Sequence, residues 1–157
     1  MMALAGSTMT KILSMISKSE EETERIGTRL AAVLKKGDIV ALYGSIGAGK
    51  TTFMRGVAAG LGRERAVKSP SFTLVNEYPG DPVLQHIDFY RLDNEKEIID
   101  LGWTDYLNSE SIVVIEWAEK VRKMLPSDRI DVYLEILGSR IRCLEFCAGD
   151  DFGDRQF

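Results

Sequence analysis

The sequence predicts a three-layer α/β fold built on a central, mostly parallel sheet with an antiparallel hairpin at its edge. Three observations carry that expectation. Ile39-Val40-Ala41-Leu42-Tyr43 is a continuous apolar run that suits a strand buried on both faces, and it feeds a glycine-rich turn and then a helix. A second such run, Ile112-Val113-Val114-Ile115, lies further along the chain. Between them, two β-rich stretches flank Pro79-Gly80-Asp81-Pro82, which is turn chemistry.

In chain order, the apolar patch Ile12-Leu13-Ser14-Met15-Ile16 falls in a leader, residues 1–18. It is too short and interrupted for a secretory signal and reads as an edge strand or a disordered start. Ser19 and Glu22 have capping-box spacing. Ile26, Leu30, Val33 and Leu34 then share one stripe, and Gly37 follows Lys35 and Lys36, so an amphipathic helix spans 19–36. The helix after the glycine turn runs from Lys50 to Leu61 and stops at Gly62. Phe72 to Tyr78 and Val83 to Tyr90 form the hairpin, and Asp93 to Leu101 a short helix ended by Gly102. Ala118 to Leu125 reads as a short helix stopped by Pro126. Ile130, Val132, Leu134 and Ile136 alternate, Gly138-Ser139 turns, and Arg140 to Cys147 returns. One domain is expected over residues 19–148, with 149–157 as a flexible acidic tail.

Composition narrows the function. With 157 residues, 45% hydrophobic and 28% charged, the chain can bury a full core. No apolar run approaches the roughly 20 residues that span a bilayer, so a membrane role is not expected. A net charge of -4 argues against gripping DNA or RNA unaided, because such contacts need clustered Lys and Arg. Cys143 and Cys147 are too few for a disulfide framework, which points to a reducing, cytoplasmic setting.

The strongest chemical signal is Gly44-Ser45-Ile46-Gly47-Ala48-Gly49-Lys50-Thr51, which matches G-x-x-x-x-G-K-[ST] between strand and helix. Glycines let backbone N–H groups converge on an anion, helped by the positive end of the helix. Lys50 would reach the β- and γ-phosphates of a nucleotide, and the Thr51 hydroxyl would be one ligand of Mg²⁺. Gly44, Gly47, Ala48, Gly49 and Thr52 complete the cradle. A buried strand in this fold class usually ends in an acid beside such a loop, and Glu116 has that position. Asp88, in His86-Ile87-Asp88-Phe89-Tyr90-Arg91, is either an outward strand residue or a site group. His86, the one histidine, reads as structural. Ser69-Pro70-Ser71-Phe72-Thr73 offers hydroxyls of the kind that switch segments use.

Four segments together, Gly44 to Thr52, Ser69 to Val75, His86 to Leu92 and Ile115-Glu116-Trp117, resemble the TsaE (YjeE) family in order and spacing, as does Leu101-Gly102. The resemblance covers about residues 19–142. It implies the P-loop NTPase fold and an ATPase needed for threonylcarbamoyl modification of adenosine 37 in tRNAs that read ANN codons. Its implied partners are TsaB and TsaD, whose complex ATP hydrolysis resets, so tRNA is met only through them. By matching position, Lys50 contacts phosphates, Thr51 and Glu116 ligate Mg²⁺, Asp88 is the acid near the γ-phosphate, and Trp117 is the site aromatic. The family also brings Glu20 and Ser139 or Arg140 to the nucleotide. Two departures stand out: Ser45 where the family commonly has aspartate, and Ser71 where it has threonine, leaving a hydroxyl for a metal or phosphate contact.

The expected mechanism places MgATP on the amides of residues 47–52, with Asp88 or Glu116 orienting the attacking water. No arginine stands out in the sequence as a finger, so hydrolysis should be slow until a partner speeds it. The rivals are a small-molecule kinase, for which no arginine-bearing lid is evident, and a GTPase, for which Asn-Lys-x-Asp is absent. A nucleotide-gated adaptor with negligible turnover uses the same residues and stays open.

Overall fold

The computed structural model describes residues 9–63 and 74–157. Its strands are β1 (Thr10–Ser17), β2 (Ile39–Tyr43), β3 (Val75–Tyr78), β4 (Val83–Asp88), β5 (Ser111–Glu116), β6 (Ile130–Ile136) and β7 (Arg142–Ala148). Its α-helices are α1 (Glu20–Ala31), α2 (Lys50–Gly60), α3 (Glu95–Asp100) and α4 (Asp150–Gly153). The strands make one sheet in the order β1-β7-β6-β2-β5-β4-β3. The inner four are mutually parallel, and both edges are antiparallel: the β3–β4 hairpin on one side, β6–β7 with β1 on the other.

Strand alternation splits the core between two faces. Val40, Leu42, Ile112, Val114, Val132 and Leu134 meet α1 and α2 on one face. Ile39, Ala41, Ile87, Val113 and Ile115 meet Ile98 of α3, Trp103 and Val121 on the other. This makes three layers. The inner strands β2 and β5 are buried along their whole length, as their unbroken apolar runs require.

Helix α1 starts at Ser19, whose hydroxyl accepts from the Glu22 amide at 3.1 Å. The Glu22 carboxylate reaches back to the Lys18 amide at 2.6 Å, one residue earlier than in a capping box. Helices α1 and α2 touch backbone to backbone. A Cβ on Gly56 would lie 2.0 Å from the Glu24 carbonyl oxygen, and one on Gly27 would lie 2.3 Å from that of Phe53. Thr28 spans the same seam by donating to the Gly56 carbonyl at 3.0 Å. This seam seats α2, and therefore its first residue Lys50, against the sheet.

Two expectations are corrected. Ala118 to Leu125 is not one helix but two 3₁₀ turns, Ala118–Lys120 and Arg122–Met124. The entry residue Trp117 is left-handed (φ 58°). The acidic tail is held in place. Phe152 of α4 is buried, Phe157 packs on Phe146 with ring centroids 4.8 Å apart, and Arg155 binds both Asp38 oxygens at 2.5 and 3.1 Å. Residues 1–8 of the leader lie outside the described residues, as do Phe72 and Thr73 of the expected first hairpin strand.

Candidate functional site

The glycine turn sits where β2 ends. Gly49 takes a left-handed conformation (φ 102°) that a side chain would strain, and it opens α2 with no side-chain cap on the helix amides. Those amides face a cavity of about 1050 Å³ over the carboxyl ends of the parallel strands, where open α/β sheets take ligands. Its walls include Gly47, Ala48, Gly49, Lys50, Thr51 and Thr52 from the turn and helix, Asp88 from β4, and Glu116 and Trp117 from β5. Glu20, at the start of α1, and Arg140, in the β6–β7 turn, also line it. Gly44 is not a lining residue; its carbonyl accepts from Lys50. Ser71, with the rest of Ser69 to Thr73, lies outside the described residues.

Lys50 is buried at the head of α2. Its ammonium donates to the Gly44 carbonyl and, at 3.2 Å, to that of Ser45, and it lies 3.9 Å from the centre of the Trp117 ring. Burial holds its pKa below the ordinary lysine value, against the pull of Glu119, Glu116 and Asp88. Next in sequence, Thr51 donates its hydroxyl to Glu116 Oε1 at 3.0 Å. Helix and strand are thus joined across the sheet by a hydroxyl and a carboxylate.

Strand register explains the acids. Glu116 and Asp88 are partners in the parallel β4–β5 pair, and Glu116 also faces Leu42 of β2. Both carboxylates therefore emerge at one end of the sheet, on the α2 face. Glu116 is only 2% exposed. Burial, with the neighbouring Glu116 charge adding to it, pushes the Asp88 carboxyl above its ordinary pKa, while the Tyr90 amide donating to Oδ1 at 2.9 Å holds it down. Among the described residues, neither acid forms an ion pair with a lysine or arginine; the close side-chain neighbour of Glu116 Oε2 is His86.

Trp117 is the sole non-glycine residue with positive φ among the described residues. Its ring stands 5.1 Å from that of Tyr90, and Lys120 ties this corner together by donating to the Phe89 and Tyr90 carbonyls at 3.0 and 2.8 Å. A strained backbone that aims an aromatic ring into a cavity is a common signature of a working site.

Sequence reasoning missed several residues. His86, read as structural, puts Nε2 2.5 Å from Glu116 Oε2. Arg142 donates to the Gly47 carbonyl at 3.0 Å and to that of Gly138 at 2.9 Å, pinning the glycine turn to the β6–β7 turn. Arg91 and Tyr90 also line the cavity. Three arginines stand on the cavity walls: Arg140, which the resemblance named, and Arg91 and Arg142, to which sequence reasoning assigned no role. Arg142 lies 95 residues from Gly47 in the chain, so no local pattern signals the contact.

Comparison with known proteins identifies the family. A family model described as "Threonylcarbamoyl adenosine biosynthesis protein TsaE" matches residues 17–142. A Bacillus subtilis protein named tRNA threonylcarbamoyladenosine biosynthesis protein TsaE is 40% identical over 139 residues, covering 88% of this chain and 87% of its own. Its namesake in Haemophilus influenzae is 41% identical over 135 residues, 82% and 85% of the two chains. Among solved structures, Bacillus subtilis YdiB superposes with a TM-score of 0.75 at 33% identity, over 92% of this chain and 89% of that one. The overall fold agrees with these matches, and the chain belongs to the TsaE family.

Proposed function

We propose that the chain binds MgATP in this cavity and hydrolyses it in support of N6-threonylcarbamoyladenosine synthesis at tRNA position 37, resetting a TsaB–TsaD-type complex between turnovers. The observation that carries this reading is the Thr51–Glu116 hydrogen bond, which puts a hydroxyl and a carboxylate side by side next to the buried Lys50. The curated relatives are named for that biosynthesis.

The donor set suits Mg²⁺, a hard cation that prefers oxygen. Among the described residues no group of three or more His, Cys, Asp or Glu side chains is arranged to hold a metal by itself. That fits an ion that takes one or two protein ligands and the rest from phosphate and water. Thr51 and Glu116 would hold it, with Asp88 alongside. Bound there, Mg²⁺ would offset negative charge on the β- and γ-phosphates.

The remaining work falls to the chain. Amides of residues 47–52 bind the phosphates, and Lys50 exchanges its carbonyl partners for phosphate oxygen. Asp88 or Glu116 orients the water; burial makes the Asp88 carboxyl more basic than an ordinary aspartate, which suits proton acceptance. Trp117 and Tyr90 cover the reacting end, while Glu20 and Arg140 line the nucleoside side. Among the described residues no helix is long and apolar enough to cross a membrane. The role in tRNA modification belongs in the cytoplasm, and tRNA is met through the partners.

The test is phosphate release from ATP by the purified chain, with and without its TsaB and TsaD counterparts. Slow release alone and an increase of tenfold or more with both partners is expected. A phosphorylated small product would make it a kinase. ATP-dependent docking without hydrolysis would make it a nucleotide-gated adaptor.

A further inference from the structure

The mechanism above gives no role to the buried residue that touches Glu116 from β4. His86 is fully buried in β4, on the face that carries Asp88 and packs under α2. In register it faces Val114, two residues before Glu116, so its ring reaches diagonally along β5 to meet Glu116 Oε2 at 2.5 Å. Oε1 of the same carboxylate accepts from Thr51 at 3.0 Å. Both oxygens are therefore engaged, by donors from two different elements, and the carboxylate cannot rotate without losing one of them.

The partner of Nε2 is a carboxylate, so Nε2 carries the hydrogen and the ring donates through it. Nδ1 has no hydrogen-bond partner among the described residues, and a buried polar atom left unpaired is unfavourable. A histidine serving packing alone would be replaced by an apolar residue without that loss. What the ring gains here is the Glu116 contact.

We propose that His86 is a positioning residue, which fixes the plane of the Glu116 carboxylate so that Oε1 stays on the Thr51 side. This rests on the reading of Thr51 and Glu116 as the cation-holding pair. His86 does not line the cavity, so it acts through Glu116. Groups that orient a ligating side chain typically change metal affinity by 10- to 100-fold when removed.

Two variants separate positioning from packing. The amide nitrogen of His86→Gln falls near Nε2, whereas that of His86→Asn falls near Nδ1, and both keep a polar group in the site. ATP affinity is measured by calorimetry in excess Mg²⁺ and again in EDTA. The gain in affinity conferred by Mg²⁺ is expected to match wild type within about threefold for His86→Gln and to fall on the order of tenfold for His86→Asn, with EDTA affinities unchanged. In a Glu116→Gln background, His86→Asn should add nothing. Equal Mg²⁺ gains for the Asn and Gln variants overturn the proposal. A wild-type protein with no Mg²⁺ gain at all instead removes the cation-holding reading beneath it. Because His86 is the one histidine in the chain, ¹⁵N NMR of the imidazole checks the same claim without mutation. An Nε2–H ring is expected, and an Nδ1–H tautomer overturns it.

Discussion

The sheet buries two acids on opposite faces and treats them differently. Asp131, on the α3 face, is neutralised where it stands. Arg129 meets it with two nitrogens, at 2.8 and 3.2 Å, and the Tyr43 hydroxyl donates to it at 3.2 Å. Glu116, on the α2 face and equally buried, meets a threonine hydroxyl and a histidine, and its strand partner is a second acid, Asp88. The nearby cation, Lys50, spends its hydrogen bonds on carbonyls. One cluster is a closed ion pair whose role is structural. The other has carboxylates in excess of fixed positive charge, at the end of the sheet where ligands bind, which is the arrangement a metal–phosphate site needs.

That contrast can be broken from either side. The largest effect should follow Glu116→Gln, which keeps shape but removes charge: partner-stimulated phosphate release should fall by about 10³-fold. A fall of less than threefold would take Glu116 out of the chemistry. On the opposite face, Arg129→Ala strands Asp131 as an unpaired buried charge and should lower stability by about 3 kcal/mol in denaturant unfolding. Turnover per folded molecule should not change, and a loss there would erase the division between the clusters.

At the seam between α1 and α2, Gly56→Ala forces a methyl onto the Glu24 carbonyl. A loss of about 2 kcal/mol in thermal unfolding is expected; no loss would mean the helices separate at little cost. Smallest at neutral pH is Tyr43→Phe, which removes one hydrogen bond to Asp131, worth about 1 kcal/mol. Its sharper signature is alkaline. Burial, then Asp131, push the Tyr43 phenol above its ordinary pKa of 10.0. Above that pH the unfolded chain ionises at Tyr43 and the native one does not, so wild-type stability drops with rising pH. Below it the group contributes no pH dependence. Tyr43→Phe should flatten that alkaline limb, as read by melting temperature across pH 9 to 11.

Parts of this were legible in the sequence because they are local. The glycine turn declares its own backbone, and four apolar residues running into Glu116 place an acid at a strand end whatever surrounds it. Asp88 read from its own strand as either an outward residue or a site group, and only the resemblance chose between them; the β4–β5 register is what sets it beside Glu116. His86 was hidden for the same reason: its contact is diagonal across two strands 30 residues apart. The left-handed Trp117 has no sequence signature, because residues other than glycine adopt that conformation only under tertiary constraint. Glycine and acidic residues made the tail look mobile, while its anchors Asp38 and Phe146 lie elsewhere in the chain.

The central claim is that Glu116 forms half of the cation seat for a bound nucleotide, and ligand-induced stabilisation of wild type against Glu116→Gln measures it most directly. At concentrations near one hundred times Kd, MgATP should raise the wild-type melting temperature by about 5 to 8 °C. The variant, melting without ligand at or above wild type, should gain less than about 2 °C. An equal MgATP shift in the two proteins would contradict the account.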